Sequence, residues 1–224
     1  MINQVLKQVP APVARYFDHV LAAKQKRISR VYLKHSGYFR PSANSKWLKI
    51  KGSQYFSATE PGFRWTGRTF WFRAIDQFKD GRGSLRVWLL SIIPIVNDSG
   101  YHVDHAELMR WLAESVWFPT SLLPSEQLKW EAVDANKSRL SLTSNGLNIY
   151  LMVSFNEKGE ITQMETERYK EKDKLEKWTG IVSDYKEIEG MKIPNHIEAV
   201  WSLDSGDFKY ADFYVDKIEY KYCT

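Results

Sequence analysis

The residues best suited to chemistry stand close together in the segment Glu107-Leu108-Met109-Arg110-Trp111-Leu112-Ala113-Glu114-Ser115-Val116-Trp117-Phe118. Arg110 and Glu114 are four positions apart, the spacing that sets a cation and a carboxylate side by side on a helix. Trp111, Trp117 and Phe118 add large rings next to them. Arg110, Trp111, Glu114, Trp117 and Phe118 together make a candidate ligand-binding set, in which the rings line an apolar tail and Arg110 meets a carboxylate or phosphate head. The plainer alternative is an Arg–Glu surface pair, worth about a few tenths of a kcal/mol, beside a core helix. Trp111 lies on the apolar stripe of that helix and is buried under either reading.

Candidates for catalysis are few. Asp76 and Glu114 could serve as a carboxylate pair, one neutral and one charged, if the fold brings them together. Turn or capping roles are the competing reading. There is no G-x-S-x-G elbow, and Lys79-Asp80-Gly81-Arg82-Gly83-Ser84 lacks the Gly-Lys-Ser/Thr of a phosphate loop, so it reads as a hairpin turn. A metal reading would start from His102-Val103-Asp104-His105, but the spacing supplies no third ligand, and His19, His35 and His196 are isolated. Neither a metal nor a cofactor is expected. Nucleic-acid binding could use Tyr32, Lys34, Tyr38 and Arg40, which alternate onto one strand face. No signature of a nucleic-acid fold accompanies them, and aromatics recur in the acidic half, so nucleic acid is not an expected partner.

The elements that must position these residues follow from periodicity. Val13, Tyr16, Phe17, Val20 and Leu21 give one apolar stripe, predicting a helix over 10–26 that ends at Lys24, Lys26 and Arg27. From 28 to 96 the period is two, with a hairpin about Asp80-Gly81. Asp104 with Glu107 forms a capping-box pattern, and Val103 with Leu108 a staple, predicting a helix over 104–117. Pro119 disfavours helix at Phe118. Strands follow from 128 to 222, separated by turns such as Asn145-Gly146 and Glu189-Gly190. The reading is α+β: one domain over 1–224, a single highly curved antiparallel sheet of about eleven strands. Two amphipathic helices lie in or across the concave face of this partial barrel, which leaves an apolar, aromatic-lined hollow.

Composition bounds the class. The chain has 224 residues, 43% apolar, 26% charged and 14% aromatic, which excludes a disordered polypeptide. One cysteine, Cys223, excludes an internal disulfide framework. The N-terminal ten residues lack the basic and apolar regions of a signal peptide, so a cytoplasmic location is expected. No run approaches the length of a membrane-spanning helix. Residues 1–100 carry a net charge of +12 and residues 101–224 one of −7. The expectation is that the two halves form one sheet and their opposite charges largely face each other.

The segment from Glu107 to Pro124 resembles the signature E-L-x-R-W-L-A-E-x-x-W-F-P-T-x-L-L-P of a bacterial family of unknown function. Weaker matches extend over most of the chain: Pro12-Val13, Arg15-Tyr16, Pro61-Gly62-Phe63 with Trp65, Asp76 with Gly81 and Gly83, Trp130, Trp178 and Trp201. In architecture alone the chain is similar to the half-barrel of Lol-type lipoprotein carriers, which hold acyl chains in a curved sheet closed by helices. It departs from them in lacking a signal peptide. Two functional expectations from different classes follow. The first is a non-enzymatic binder of an apolar or amphipathic, lipid-like small molecule in a half-barrel cavity. The second is either a hydrolase-type enzyme using acidic residues or a protein-interaction module.

Overall fold

The computed structural model describes residues 8–224; the short tail expected ahead of the first helix lies mostly outside them. Helix α1 is Ala11–Val20, followed by β1 (Ile28–Phe39), β2 (Leu48–Ser57), β3 (Gly62–Arg68), β4 (Phe72–Lys79), β5 (Arg82–Leu89) and β6 (Ile93–Ser99). Helix α2, Tyr101–Glu114, divides these from β7 (Leu128–Ala132), β8 (Lys137–Ser144), β9 (Leu147–Phe155), β10 (Ile161–Glu171), β11 (Lys174–Ile188), β12 (Met191–Leu203) and β13 (Gly206–Tyr222). All thirteen strands form one antiparallel sheet in the order β6-β5-β4-β3-β2-β1-β13-β12-β11-β10-β9-β8-β7. The two meanders are therefore joined along β1 and β13, and among the described residues the open edges are β6 and β7.

The sheet curls into a half-barrel because one face is continuously apolar. Phe56, Phe63, Trp65 and Phe78 point inward from the first meander, and Leu140, Leu151, Val153, Met164 and Ile193 from the second; all are buried. Helix α1 packs on β8 and β12, whereas α2 lies across the curve and touches β3, β4, β5 and β6 on one arm and β9 and β10 on the other. Tyr16 of α1 reaches Phe155 at 6.0 Å between ring centres. Each helix thus covers apolar surface that the sheet alone would leave wet.

Both helices differ in extent from the periodicity reading. Helix α1 stops at Val20, so Lys24, Lys26 and Arg27 lie beyond its end and do not cap it. Helix α2 starts three residues before Asp104, with Gly100 at its N-cap in a left-handed conformation (φ 111°) that favours glycine. The capping box is not formed. The Asp104 carboxylate accepts the Gly83 N–H at 2.7 Å and an Arg82 N–H at 3.0 Å, fastening the β4–β5 turn to the helix. Glu107 is buried and faces Arg168.

Charge is not matched across the halves in the way expected. Among the described residues, pairs at ion-pair distance joining residues 1–100 to the remainder are His19–Glu160, Arg82–Asp104, Asp98–His102 and Arg110–Asp76. The other ion-paired acids meet cations of their own half, as Glu198 and Asp212 meet Lys209. The outer face of the first meander keeps its positive charge unpaired.

Candidate functional site

Helix α2 brings Arg110 and Glu114 to one place on the inner face of the first arm. Arg110 Nε donates to Glu114 Oε1 at 2.9 Å, one turn further along the helix. Its Nη1 bonds Asp76 of β4, and Nη2 donates to Gln54 Oε1 of β2 at 3.3 Å. Gln54 returns a hydrogen bond to Glu114 Oε2 at 2.7 Å, closing a ring of three side chains to which Asp76 is attached through Arg110. The guanidinium sits between Phe63 and Trp65, with ring centres at 5.0 and 5.1 Å. Asp76 and Glu114, 38 positions apart in sequence, are therefore brought together, but across an arginine that bonds both.

A second charged pair adjoins this ring. Glu107 accepts from Arg168 Nη2 at 3.5 Å, and its side chain also meets that of Asp76. Burial and the nearby Asp76 charge push the Glu107 carboxyl well above its ordinary range, which favours its protonated form. Glu107 Oε2 and Asp76 Oδ1, both without any other partner, are satisfied if that proton lies between them. Burial raises Glu114 as well, outweighing the opposing pull of Arg110 and Gln54. Burial pulls Arg110 down, but Glu114, Asp76 and Glu107 outweigh it and keep the guanidinium charged.

His35 completes the inner polar layer. Its Nε2 accepts the Trp65 indole N–H at 2.7 Å, and its ring stacks on Phe213 at 4.6 Å. Burial, helped by the Arg110 charge, lowers its pKa to about 3, so the ring is neutral.

The Trp-rich segment after α2 closes the middle of the half-barrel. Trp111 Nε1 donates to the Ser57 carbonyl at 2.9 Å, and Trp117 Nε1 to that of Pro194 at 3.1 Å. Phe118 packs on Phe56 and Trp111, with ring centres 4.8 and 6.0 Å apart. Tight turns at Ser115–Trp117 and Pro119–Leu122 leave carbonyls that other elements satisfy: Tyr220 OH donates to Trp117 O and Trp130 Nε1 to Leu122 O. Strands of both meanders are thus tied to one short segment, and the hollow expected from the aromatic content is filled at its middle.

The concave face opens toward the free ends of β4, β5 and β6. Along β4 the inward residues pass from buried Phe78 and Asp76 to half-buried Ala74 and Phe72. On β5 and β6, inward Val87 and Leu89 are half-buried, while Val96 and Ile93 expose 38% and 52% of their surface. Helix α2 does not reach this end. Three residues beyond Val96, Ser99 borders a groove of about 660 Å³ between the two arms, walled by Tyr101, His102, Tyr169, Lys172 and Leu175. Sequence reading missed this open end, although the apolar run from Trp88 to Val96 is its signal.

The possible metal residues point to different partners. His102 faces Asp98 at 3.1 Å, Asp104 holds Gly83 and Arg82, and His105 lies against Tyr169. On the outer face, His196, Glu198 and Asp212 converge closely enough to suit a cation. Lys209 Nζ already bonds Glu198 at 2.9 Å and Asp212 at 3.1 Å there, supplying the positive charge a metal would bring.

These features define an antiparallel half-barrel plugged by a Trp-rich helix, with a polar ring under the helix and one end of its concave face bare. The chain belongs to DUF6544, a family of unknown function, whose sequence profile matches residues 1–213. Among solved structures, a LolA superfamily protein from Nitrosomonas europaea is similar over 96% of this chain and 94% of its own, with a TM-score of 0.48 and 12% identity. No curated protein matches the chain. Among the described residues, no helix is long and apolar enough to cross a membrane.

Proposed function

We propose that this protein is a non-enzymatic binder of a lipid-like, amphipathic small molecule. The observation that carries this reading is the uncovered apolar concave surface at the ends of β4–β6, where Ile93 and Val96 stand 52% and 38% exposed on the face that elsewhere forms the core. An inward apolar surface left wet loses about 25 cal/mol for each Å² that a ligand could cover. The tail of the ligand lies along Phe72, Val87, Leu89, Ile93 and Val96. Its polar group reaches the groove beside Tyr101 and Lys172, whose volume of about 660 Å³ falls in the usual range for small-molecule sites.

In this reading Arg110, Trp111, Glu114, Trp117 and Phe118 support the ligand surface: they fix α2 across the curve and end the trough. They contact a ligand themselves only where it reaches the edge of the plug. The single cysteine, exposed near the C-terminus, suits a reducing compartment, and we place the protein in the cytoplasm. Titration with a naturally fluorescent polyene fatty acid tests the proposal. Saturable binding that is lost in Leu89→Asp, with the thermal midpoint of that variant close to wild type, supports it. Absence of saturation, or unchanged binding in Leu89→Asp and Val87→Asp, removes it.

A further inference from the structure

The outer face of the first meander carries a row of cations with no anions to meet them. Lys51 of β2 stands directly opposite Arg68 of β3, and Arg68 directly opposite Arg73 of β4. Like charges placed opposite each other on neighbouring strands destabilise a sheet. Among the described residues, none of the three has a carboxylate within ion-pair distance, and Arg73 Nε is buried without a partner. Between Ile28 and Ile75 the only acid is Glu60, which sits in the β2–β3 turn at the far end of the strands; between Arg82 and Asn97 there is none. Such a row calls for an external anion.

The turns next to that row are strongly apolar. The β3–β4 turn presents Phe70 at 84% and Trp71 at 51% exposure, and the β5–β6 turn presents Leu90 at 52% and Ile92 at 76%. The two turns are tied together, since the Leu90 N–H donates to the Trp71 carbonyl at 2.7 Å. Leu90 and Ser91 both hold left-handed conformations, with φ of 51° and 65°, where glycine or asparagine is usual. A leucine in that position is strained and wet, an arrangement with no benefit to the isolated fold. Four large apolar side chains at adjoining turn tips, with Trp among them and cations behind, match the order of layers at a bilayer surface: hydrocarbon, interfacial ring, anionic headgroup.

We propose that the tips of the β3–β4 and β5–β6 turns insert into an anionic membrane surface, with Lys51, Arg68 and Arg73 lying against lipid phosphates. The surface is on the turns and outer face, so it does not depend on whether the inner face holds a ligand. Membrane attachment also places the bare concave end beside the lipid phase.

Co-sedimentation with vesicles tests this, using phosphatidylcholine alone and phosphatidylcholine mixed with phosphatidylglycerol. The wild type is expected to bind the mixed vesicles, and to do so less as salt rises. Phe70→Ser combined with Ile92→Ser should lower the partition coefficient about tenfold or more, since each side chain loses its burial in the acyl region. Arg68→Glu should remove the preference for the anionic vesicles. All these positions are exposed, and circular dichroism melting of each variant confirms that it is folded. Failure of the wild type to bind either vesicle, or binding unchanged in the double variant, overturns the proposal. So does self-association of the wild type that Phe70→Ser abolishes, which would make the tips an interface between copies.

Discussion

The indole N–H of Trp65 donates to His35 Nε2 at 2.7 Å, and the backbone of Gly52 passes directly beneath the pair. A Cβ at position 52 would stand 2.1 Å from His35 Nε2 and 2.7 Å from Trp65 Nε1. Both rings would have to shift, and Trp65 could not move without disturbing the Arg110 guanidinium that it flanks. Gly52→Ala is therefore expected to destabilise the fold by about 1–3 kcal/mol, as overpacking in a filled core does. Urea denaturation with unchanged slope and a lowered midpoint would show it.

Burial of the same histidine, helped by the Arg110 charge, sets an acid limb in the stability profile. Folded His35 stays neutral down to about pH 3, whereas an unfolded histidine takes up its proton near 6.5. The unfolded chain then binds the extra proton between those values. The contribution of His35 is complete above about pH 6.5 and disappears as pH falls toward 3. A shift of this size corresponds to about a few kcal/mol. His35→Gln keeps an acceptor for Trp65 but cannot titrate, so its unfolding free energy should fall less than that of wild type between pH 6.5 and 4.

Glu107 has the opposite sign. Its folded form keeps a proton that the unfolded chain releases near pH 4.5. The stabilisation is complete below that value and is lost as pH rises through the elevated folded pKa. Glu107→Gln, which keeps a donor toward Asp76 and carries no charge, is expected to match or exceed wild-type stability at pH 8. Denaturation midpoints at pH 5 and pH 8 measure it; a larger loss in the variant at pH 8 would contradict the shared-proton arrangement.

Arg110 is the hub of the polar ring, and its loss leaves Asp76 and Glu114 facing each other with no cation between them. Both side chains are largely out of water, at 9% and 13% exposure. Arg110→Met should cost about 3–5 kcal/mol, the usual penalty for an abandoned buried charge. Adding Glu114→Gln to Arg110→Met should recover part of it, a non-additivity readable from a double-mutant cycle.

Asp104 offers a smaller test in which two effects separate. Its partner Arg82 has a side chain 82% exposed, so that ion pair contributes little, about 0–1 kcal/mol. The Gly83 N–H is buried and would be orphaned by Asp104→Ala, at about 1–3 kcal/mol. Arg82→Ala should consequently leave the thermal midpoint nearly unchanged while Asp104→Ala lowers it clearly.

Strand periodicity made most of this architecture legible. The period-two runs of Trp47 to Phe56 and Leu147 to Phe155 reappear as β2 and β9, and Asn145-Gly146 as a tight hairpin turn with both residues in left-handed conformations. Burial economics gave the curved sheet and its crossing helices, but not the helix ends. Asp104 carries the composition of a cap, yet its carboxylate serves the Gly83 amide in a strand more than twenty residues upstream, a contact no local pattern encodes. The aromatic surplus by itself predicts the lining of a hollow. Trp111, Trp117 and Trp130 instead turn their indole N–H groups onto backbone carbonyls of strands and turns. The bare end is obscured for the same reason: Ile93, Ile95 and Val96 look like core until the sheet order reveals β6 as an edge strand, which α2 meets without covering these residues.

The central claim, that the open concave end seats a lipid-like amphiphile, is tested most directly by native mass spectrometry of the protein isolated from its own cells under non-denaturing conditions. The account predicts a population heavier than the bare chain by the mass of one amphiphile, released on denaturation and absent from Leu89→Asp. A bare chain throughout, which also fails to take up added fatty acid, would contradict it.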